Sequence, residues 1–246
     1  MAEHAVRRRS EVVRRRARGI IIDTWQSQAN LSLFLVLEVL IAFVLPSLGF
    51  GRKDVRLYGD MGFSILLISG VAIAWGRKRL FTVAVIVGGI ALGVRWLAWG
   101  YRSFRAELWD DWATILAILV IAFVLLAQIF RTGRVTHVRI QGAIAVYVLF
   151  GIGYAHAYHV VGILHPGAFV APKGELSQPA DWVYFSFVTL TTVGYGDITP
   201  AIPIARALAI GEALLGQLYL AIMVARLVAM ELVFWQQKVM ENGTKE

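Results

Sequence analysis

The sequence predicts an all-α integral membrane protein with six transmembrane helices. A re-entrant half-helix and a loop are predicted between the fifth and sixth of them. Of its 246 residues, 58 % are hydrophobic and only 16 % are charged. Soluble domains have about 45–50 % apolar and about 25 % charged residues. The second observation is a set of six long apolar runs. The third is a shorter apolar stretch between the fifth and sixth runs, which cannot cross a bilayer.

Each of the six runs is long enough for a spanning helix, which needs about 17–25 apolar residues. The second run only just reaches this length, and Pro46 fits the end of the first helix because proline breaks a helix interior. Strands of a membrane barrel would alternate over about 10 residues, whereas these runs are continuous and rich in Leu, Ile, Val and Ala. The runs cover residues 31–48, 59–75, 80–99, 112–130, 140–162 and 203–233.

The first 29 residues are predicted to be a basic cytoplasmic tail able to bind anionic lipid. Arginines crowd this segment, but no cleavage site with small residues follows them, which excludes a signal peptide. The Lys/Arg bias places the N-terminus in the cytoplasm of a multi-pass cell-membrane protein. Six spans then put the C-terminal tail, residues 236–246, on the same side. The net charge of +8 is therefore assigned to a membrane surface, not to nucleic acid.

The loop between the fifth and sixth spans contains the stretch DWVYFSFVTLTT, from Asp181 to Thr192. It is too short to span a bilayer, so we expect a half-helix that enters from outside with Asp181 at its N-cap. Its C-terminal end would point toward the membrane centre. The helix dipole makes that end negative, which favours a cation there.

The residues after this half-helix are TTVGYGD, Thr191 to Asp197. Gly194 and Gly196 allow backbone angles that other residues avoid. Successive carbonyl oxygens can then point at one axis, and four such strands would form stacked cages of oxygen ligands. The Thr192 hydroxyl can add one more ring at the inner end.

The motif TVGYG resembles the signature filter of the potassium channel family, which selects cations by backbone carbonyls. Residues 140–233 also resemble its order of outer helix, pore helix, filter and inner helix. The resemblance implies passive, potassium-selective conduction by a homotetramer, since one chain supplies one filter strand. It implies no cofactor beyond K⁺ ions in the filter. Those ions would be bound by Thr192, Val193, Gly194, Tyr195 and Gly196, with Thr191 as a supporting residue.

Asp197 directly follows the filter and is predicted to restrain it. In the family this acid is commonly tied to an aromatic donor on the pore helix, and Tyr184 stands at the matching place. Some bacterial relatives add a carboxylate where this chain has Val188. The restraint is therefore expected to rest on one Tyr184–Asp197 hydrogen bond. The alternative is that Tyr184 packs against the fifth helix.

Gly216 lies twenty residues beyond Gly196, where family members often carry a hinge glycine on the inner helix. Close packing through a small residue is the alternative. Gln217, Leu220 and Val224 follow at helical spacing and are candidates for lining a cavity.

Residues 30–135 are predicted to form a four-helix membrane domain that is not a functional voltage sensor, and residues 136–235 the pore domain. A sensor needs several arginines on the fourth helix, because each charge crossing the field contributes about 2.3 kcal/mol per 100 mV. The fourth run, Asp111 to Phe130, contains no Lys or Arg.

Several ionisable residues lie in or near the predicted spans, where charge is costly and suggests a role. Arg95 could pair with Asp60, Asp110 or Asp111, whereas Glu38 has no evident partner. Glu212 is expected to form hydrogen bonds behind the pore helix. His156 and His159 share one helix face and leave open a metal site, a pH sensor or packing at the pore helix, and His165 lies in the outer loop.

The sequence does not predict an enzyme. It has no Ser/His/Asp or paired-carboxylate constellation, and the lack of cysteine excludes thiolate catalysis and zinc–sulfur sites. Two alternatives to a channel remain. One is a K⁺ transporter component, although such transporters carry four degenerate filter repeats and this chain has one. The other is a non-conducting or regulatory channel subunit, which an intact filter disfavours.

Overall fold

A computed structural model describes residues 31–44, 61–65, 67–71, 78–100, 103–130, 136–172, 174, 176 and 178–243. Almost all of these residues are helical. The predicted basic tail, Pro46 and Asp60 lie outside the described residues, so the expectations that concern them stay predictions.

Seven helices and one small sheet make up the described chain. Helix α1 covers 31–39 and continues as the π-helix Leu40–Val44. The others are α2 (Met61–Val71, with residue 66 outside the description), α3 (Lys78–Gly100), α4 (Phe104–Ile129), α5 (His137–Leu164), α6 (Pro179–Leu190) and α7 (Pro203–Gly243). Strand β1 (Phe169–Val170) pairs antiparallel with β2 (Thr199–Pro200).

Four of the described helices, α3, α4, α5 and α7, are long and apolar enough to cross a membrane. They coincide with the third to sixth predicted spans. Helix α2 is a shorter apolar helix, and the first two predicted spans extend into residues outside the description. The structure therefore supports a helical membrane protein and leaves the count of six spans as a prediction.

Two helix ends differ from the predicted ones. Helix α4 begins eight residues earlier than the fourth apolar run, because the Ser103 hydroxyl accepts a hydrogen bond from the Ala106 amide (3.2 Å) and caps a polar first turn. Helix α7 continues to Gly243 and so includes most of the segment predicted as a C-terminal tail. Apolar content located both helices but not the polar turns that extend them.

Three groups of buried side chains hold the described helices together, and the smallest joins α3 to α4 through Ala84 and Val124. The largest joins helices α1 to α5 and α7, and it includes the fully buried Phe34, Leu67, Ile118, Leu125 and Leu149. The second joins α5, α6 and β1 through Tyr158, Phe169, Trp182 and Phe185. In a bilayer, such contacts stabilise by close packing rather than by removal from water. They place the short helix α6 between α5 and α7.

Candidate functional site

The short helix α6 starts two residues before the predicted N-cap. Pro179 occupies its first turn, where a missing amide N–H costs nothing. Gln178 is the N-cap, and its own amide donates to the Asp181 carboxylate (3.1 Å). The assignment of Asp181 as N-cap was therefore wrong. It is the third helical residue and closes a reciprocal capping box.

The C-terminal end of α6 anchors the start of the predicted filter. The Val188 carbonyl accepts hydrogen bonds from the amides of Val193 (3.0 Å) and Gly194 (3.2 Å). The Thr191 hydroxyl donates to the Phe187 carbonyl (2.6 Å). The filter backbone is thus fixed to carbonyl groups that the helix end leaves free.

The backbone angle φ alternates in sign along the filter. It is +58° at Thr192, +57° at Gly194 and +77° at Gly196, and no other residue of the filter has a positive value. Alternation between left- and right-handed conformations turns successive carbonyl groups toward the same side, unlike a β-strand. A Cβ at either glycine would contact nothing within 4 Å. These glycines are therefore required for their backbone conformation and not for space.

Thr192 adopts the left-handed conformation despite its branched side chain, which makes it an outlier. Its hydroxyl oxygen accepts a hydrogen bond from the Gln217 amide of α7 (3.1 Å). Gln217 was predicted to line a cavity, whereas its contact with Thr192 had no signal in the sequence. Strained residues of this kind cluster at functional sites, where neighbouring groups hold them.

At the other end of the filter, the Tyr184 hydroxyl donates to the Asp197 carboxylate (2.7 Å), so the hydrogen bond expected from the sequence is present. The Tyr184 ring stacks on Tyr195, with centroids 6.5 Å apart and planes within 5°. Because the Tyr184 hydroxyl donates a hydrogen bond to the Asp197 carboxylate, the pKa of Tyr184 is raised above its usual value. The Tyr184 hydroxyl therefore keeps the proton that it donates at neutral pH.

Gly216 of α7 lies against the end of α6. A Cβ there would come within 2.3 Å of the Leu190 carbonyl oxygen. The Tyr147 hydroxyl of α5 donates to the same oxygen (3.3 Å). This contact favours the close-packing interpretation of Gly216, whereas its role as a hinge stays a prediction.

Glu212 lies behind α6, as expected, and is fully buried. Its carboxylate accepts hydrogen bonds from Tyr158 of α5 and from Ser186 of α6, both at 2.5 Å. The Ser186 hydroxyl also lies 2.7 Å from the Gly151 carbonyl. The two hydroxyl partners could not be identified from the sequence, since each is a common residue on an apolar helix.

Asp111 of α4 bridges the two histidines of α5. One carboxylate oxygen lies 2.8 Å from His156 Nδ1 and the other 2.8 Å from His159 Nδ1. The shared face predicted for the histidines is confirmed. The His159 ring also packs against Trp182 of α6, with centroids 5.7 Å apart. The described residues contain no group of three or more His, Cys, Asp or Glu arranged to hold a metal ion.

The remaining intramembrane charges have different surroundings. Arg95 lies 3.9 Å from Asp110 and 3.3 Å from the Thr114 hydroxyl, and its guanidinium lies over the Phe63 ring. Of the two described acids proposed for Arg95, Asp110 is the partner and Asp111 instead binds the histidines. Glu38 is fully buried, and neither carboxyl oxygen has a hydrogen-bond partner among the described residues.

Similarity to known proteins is found in the part of the chain from α5 to α7. A family model described as "Ion channel" matches residues 144–231, from α5 through most of α7. The matched segment is similar to ion channels, and relatives of this segment include proteins named as potassium channels. These similarities support a channel and not an enzyme, as the sequence predicted. No solved structure matches the chain significantly.

Three curated relatives resemble about a third of the chain. "Two pore potassium channel c" from Oryza sativa subsp. japonica is 37 % identical over 86 residues, covering 33 % of this chain and 19 % of the relative. "Protein LctB" from Bacillus caldotenax is 38 % identical over 87 residues, 33 % of this chain and 64 % of the relative. "Voltage-gated potassium channel" from Aeropyrum pernix is 35 % identical over 75 residues, 30 % of this chain and 22 % of the relative. The matches therefore span less than two thirds of each relative.

Proposed function

We propose that four copies of this chain form a K⁺-selective channel that conducts passively through a central filter. The observation that carries this proposal is the alternating backbone of residues 192–196, anchored to α6 through the Val188 carbonyl. Alternating φ angles direct the carbonyl groups of such a strand to one side, where they need partners. Rings of such oxygens replace the hydration shell of an ion in a filter.

The preference for a cation is supported by the charges around the strand. The C-terminal end of α6 carries the negative end of its helix dipole. Residues 191–196 include no basic side chain that would repel a cation, and the acidic Asp197 stands beside them at one end. The choice of K⁺ is supported by two relatives that are named as potassium channels.

Assembly into a homotetramer is supported by surfaces left uncovered in one chain. Tyr195 and Val193 of the filter are 70 % and 53 % exposed. The apolar segment of α7 is only 6 % buried, against 50 % for α5. Apolar exposure beside lipid needs no protein partner, but exposed filter residues do, because irregular backbone at membrane depth must be buried in protein or line a water-filled path.

The proposed arrangement in the cell membrane has six spans, with both termini in the cytoplasm and the basic tail on anionic lipid. The four long described helices and the membrane family support a membrane-embedded chain. The side of each terminus rests on the Lys/Arg bias alone. Fusing a reporter to each terminus and assaying its access from outside the cell tests this orientation.

Ion flux into liposomes that contain the purified chain tests the channel directly. We expect K⁺ and Rb⁺ to enter and Na⁺ to enter poorly, and native mass in detergent to correspond to four chains. Gly194→Ala should abolish flux because alanine is strained at φ +57°. Gly93→Ala is the matched control, since a Cβ there also contacts nothing within 4 Å but lies in the regular helix α3.

The same measurements separate the alternatives. A regulatory subunit would give no flux by itself while remaining folded and assembled. A transporter component would give flux at rates far below those of an open pore, without single-channel current steps. Equal K⁺ and Na⁺ flux would contradict selectivity, and a conducting dimer would contradict the tetramer.

A further inference from the structure

Asp111, His156 and His159 form a second polar site, which we call the outer clasp. It joins α4 to α5 at the end of the molecule where α6 begins, because His159 packs on Trp182 in the first turns of α6. The Asp111 side chain is 5 % exposed, whereas those of His156 and His159 are 22 % and 35 % exposed. A buried carboxylate is therefore held by two imidazoles that reach the surface of the chain.

The geometry of the outer clasp determines where protons can bind. An ionised carboxylate only accepts hydrogen bonds, so each imidazole must carry a proton on the Nδ1 that faces Asp111. A second proton on either ring would therefore bind at its Nε2 atom. Imidazole is the side chain whose charge ordinarily changes between pH 5 and 8.

We propose that the outer clasp is a proton-binding site that controls how firmly α4 holds the pore, and thereby the stability of the conducting filter. This inference rests on the proposed channel function. With both imidazoles neutral, the clasp carries one buried negative charge. Protonating one imidazole makes the clasp neutral overall and converts one contact into an ion pair with shorter, stronger hydrogen bonds. Acidification from pH 8 to pH 6 therefore tightens the clasp.

Among the described residues, the other charged groups on the helices around the clasp are as follows. On α3, Arg95 is paired with Asp110 of α4. On α6, Asp181 accepts the Gln178 amide, and on α7 Glu212 is bound by Tyr158. Glu107 lies one turn before Asp111 on α4, His165 lies just beyond the end of α5, and the described residues of α2 include no ionisable side chain.

A packed route leads from the clasp to the outer end of the filter. The Trp182 ring fills the space over Gly162, where a Cβ would lie 2.6 Å from it, and it contacts Phe169 with centroids 5.2 Å apart. Phe169 belongs to β1, which pairs with Thr199–Pro200 just after the filter. Tightening the clasp should fix Trp182 and this sheet, and so slow the collapse of the filter.

The test measures K⁺ flux from liposomes holding the full chain, with a chelator present and pH varied on the Asp197 side. Flux should be at least about fivefold higher at pH 6 than at pH 8, the lower end for coupled sites. The double variant His156→Gln/His159→Gln should lose this dependence, and His165→Gln, a histidine outside the clasp, should keep it. A double variant with the parent's pH dependence, or a parent without any, overturns the proposal.

A second measurement does not depend on conduction. Nitrogen NMR of the histidine-labelled chain in detergent should show, at pH 8, two of its five histidines as neutral rings with the proton on Nδ1. Asp111→Asn leaves one acceptor oxygen, so only one such ring should remain. Signals from Nε2-protonated rings alone overturn the clasp even if the channel conducts. Absence of K⁺ flux with the Nδ1 signals present contradicts the proposed function and spares the clasp.

Discussion

The pore part of the molecule, α5 to α7, and the peripheral part, α1 to α4, treat a buried glutamate in opposite ways. Glu212 and Glu38 are both fully buried. Glu212 binds two hydroxyl groups from two other helices, whereas Glu38 has no hydrogen-bond partner among the described residues. A glutamate thus joins three helices by hydrogen bonds in the pore part. In the peripheral part, a glutamate has no hydrogen-bond partner among the described residues. Burial alone does not tell whether a charge in a membrane helix stabilises the protein.

Replacing Glu212 should have the largest effect on stability. Glu212→Leu leaves the buried Tyr158 hydroxyl without its partner, and we expect the free energy of unfolding to fall by about 3 kcal/mol. Thermal unfolding of the purified chain in detergent measures the change. Glu231→Leu is the control on the same helix, where a partly exposed side chain should cost less than about 0.5 kcal/mol. Equal losses of stability in Glu212→Leu and Glu231→Leu would show that the hydrogen bonds of Glu212 do not stabilise the protein.

Gly216→Ala tests the contact between α7 and the end of α6. The new Cβ would overlap the Leu190 carbonyl, so the free energy of unfolding should fall by about 2 kcal/mol. Gly211→Ala is the matched control, because its Cβ meets only the Tyr154 hydroxyl at 3.7 Å. That variant should gain up to about 1 kcal/mol in helix propensity. Unchanged stability with altered opening in Gly216→Ala would instead favour the hinge.

Glu38→Leu should act in the opposite direction to Glu212→Leu. Removing a buried carboxyl group that lacks a partner should raise the free energy of unfolding by about 1 kcal/mol. Glu38→Gln keeps polar atoms at the same place and should gain less, which makes it the control. A loss of stability in Glu38→Leu would mean that the carboxyl group has a partner beyond the described residues.

Tyr184→Phe tests the restraint at the outer end of the filter. Without the hydroxyl, Asp197 keeps the backbone amide of Ile198 (3.0 Å) but loses its tie to α6. We expect folding and tetramer formation to persist and inactivation to change severalfold, most clearly at low K⁺, when few ions hold the carbonyl groups apart. A double-mutant cycle with Asp197→Asn measures the coupling. Independent effects of the two substitutions would show that the bond does not act on the filter.

The smallest expected effect concerns voltage. Helix α4 has no Lys or Arg after Arg105, and Arg95 of α3 is held by Asp110 and Phe63. Open probability should therefore vary only shallowly over test voltages of about ±100 mV, a range in which each moved charge contributes about 2.3 kcal/mol per 100 mV. Arg95→Gln should leave the slope unchanged in current recordings. A steep curve that flattens in this variant would assign Arg95 a sensing role.

The sequence predicted the pore better than the periphery for a physical reason. The conformation of the filter depends on glycines within the motif and on the Tyr184–Asp197 hydrogen bond, whose residues are only thirteen positions apart. A short sequence motif is therefore enough to predict this geometry. Asp111 lies 45 and 48 residues from its two histidines, and no local pattern relates them. Helix spacing showed that the histidines share a face, but only packing of α4 on α5 reveals which acid they meet.

The ends of the helices were predicted less well than their positions. The start of α4 depends on the Ser103 cap and that of α6 on Gln178, and both lie outside the apolar runs used to find the helices. The π-helix Leu40–Val44 had no sequence signal, since its residues suit an ordinary membrane helix equally well. Apolar content therefore located the helices, while single polar contacts set their limits.

Helix α7 is long enough to work as a lever. Its 41 residues extend about 60 Å at 1.5 Å per residue, roughly twice the hydrocarbon thickness of about 30 Å. Gly243 lies about 40 Å along the helix from Gly216, the point held against Leu190. A tilt of about 10° at that fulcrum would carry Gly243 sideways by about 7 Å. In the proposed tetramer, a movement too small to disturb packing beside the filter would therefore become a displacement wide enough to open or shut the far end of the pore.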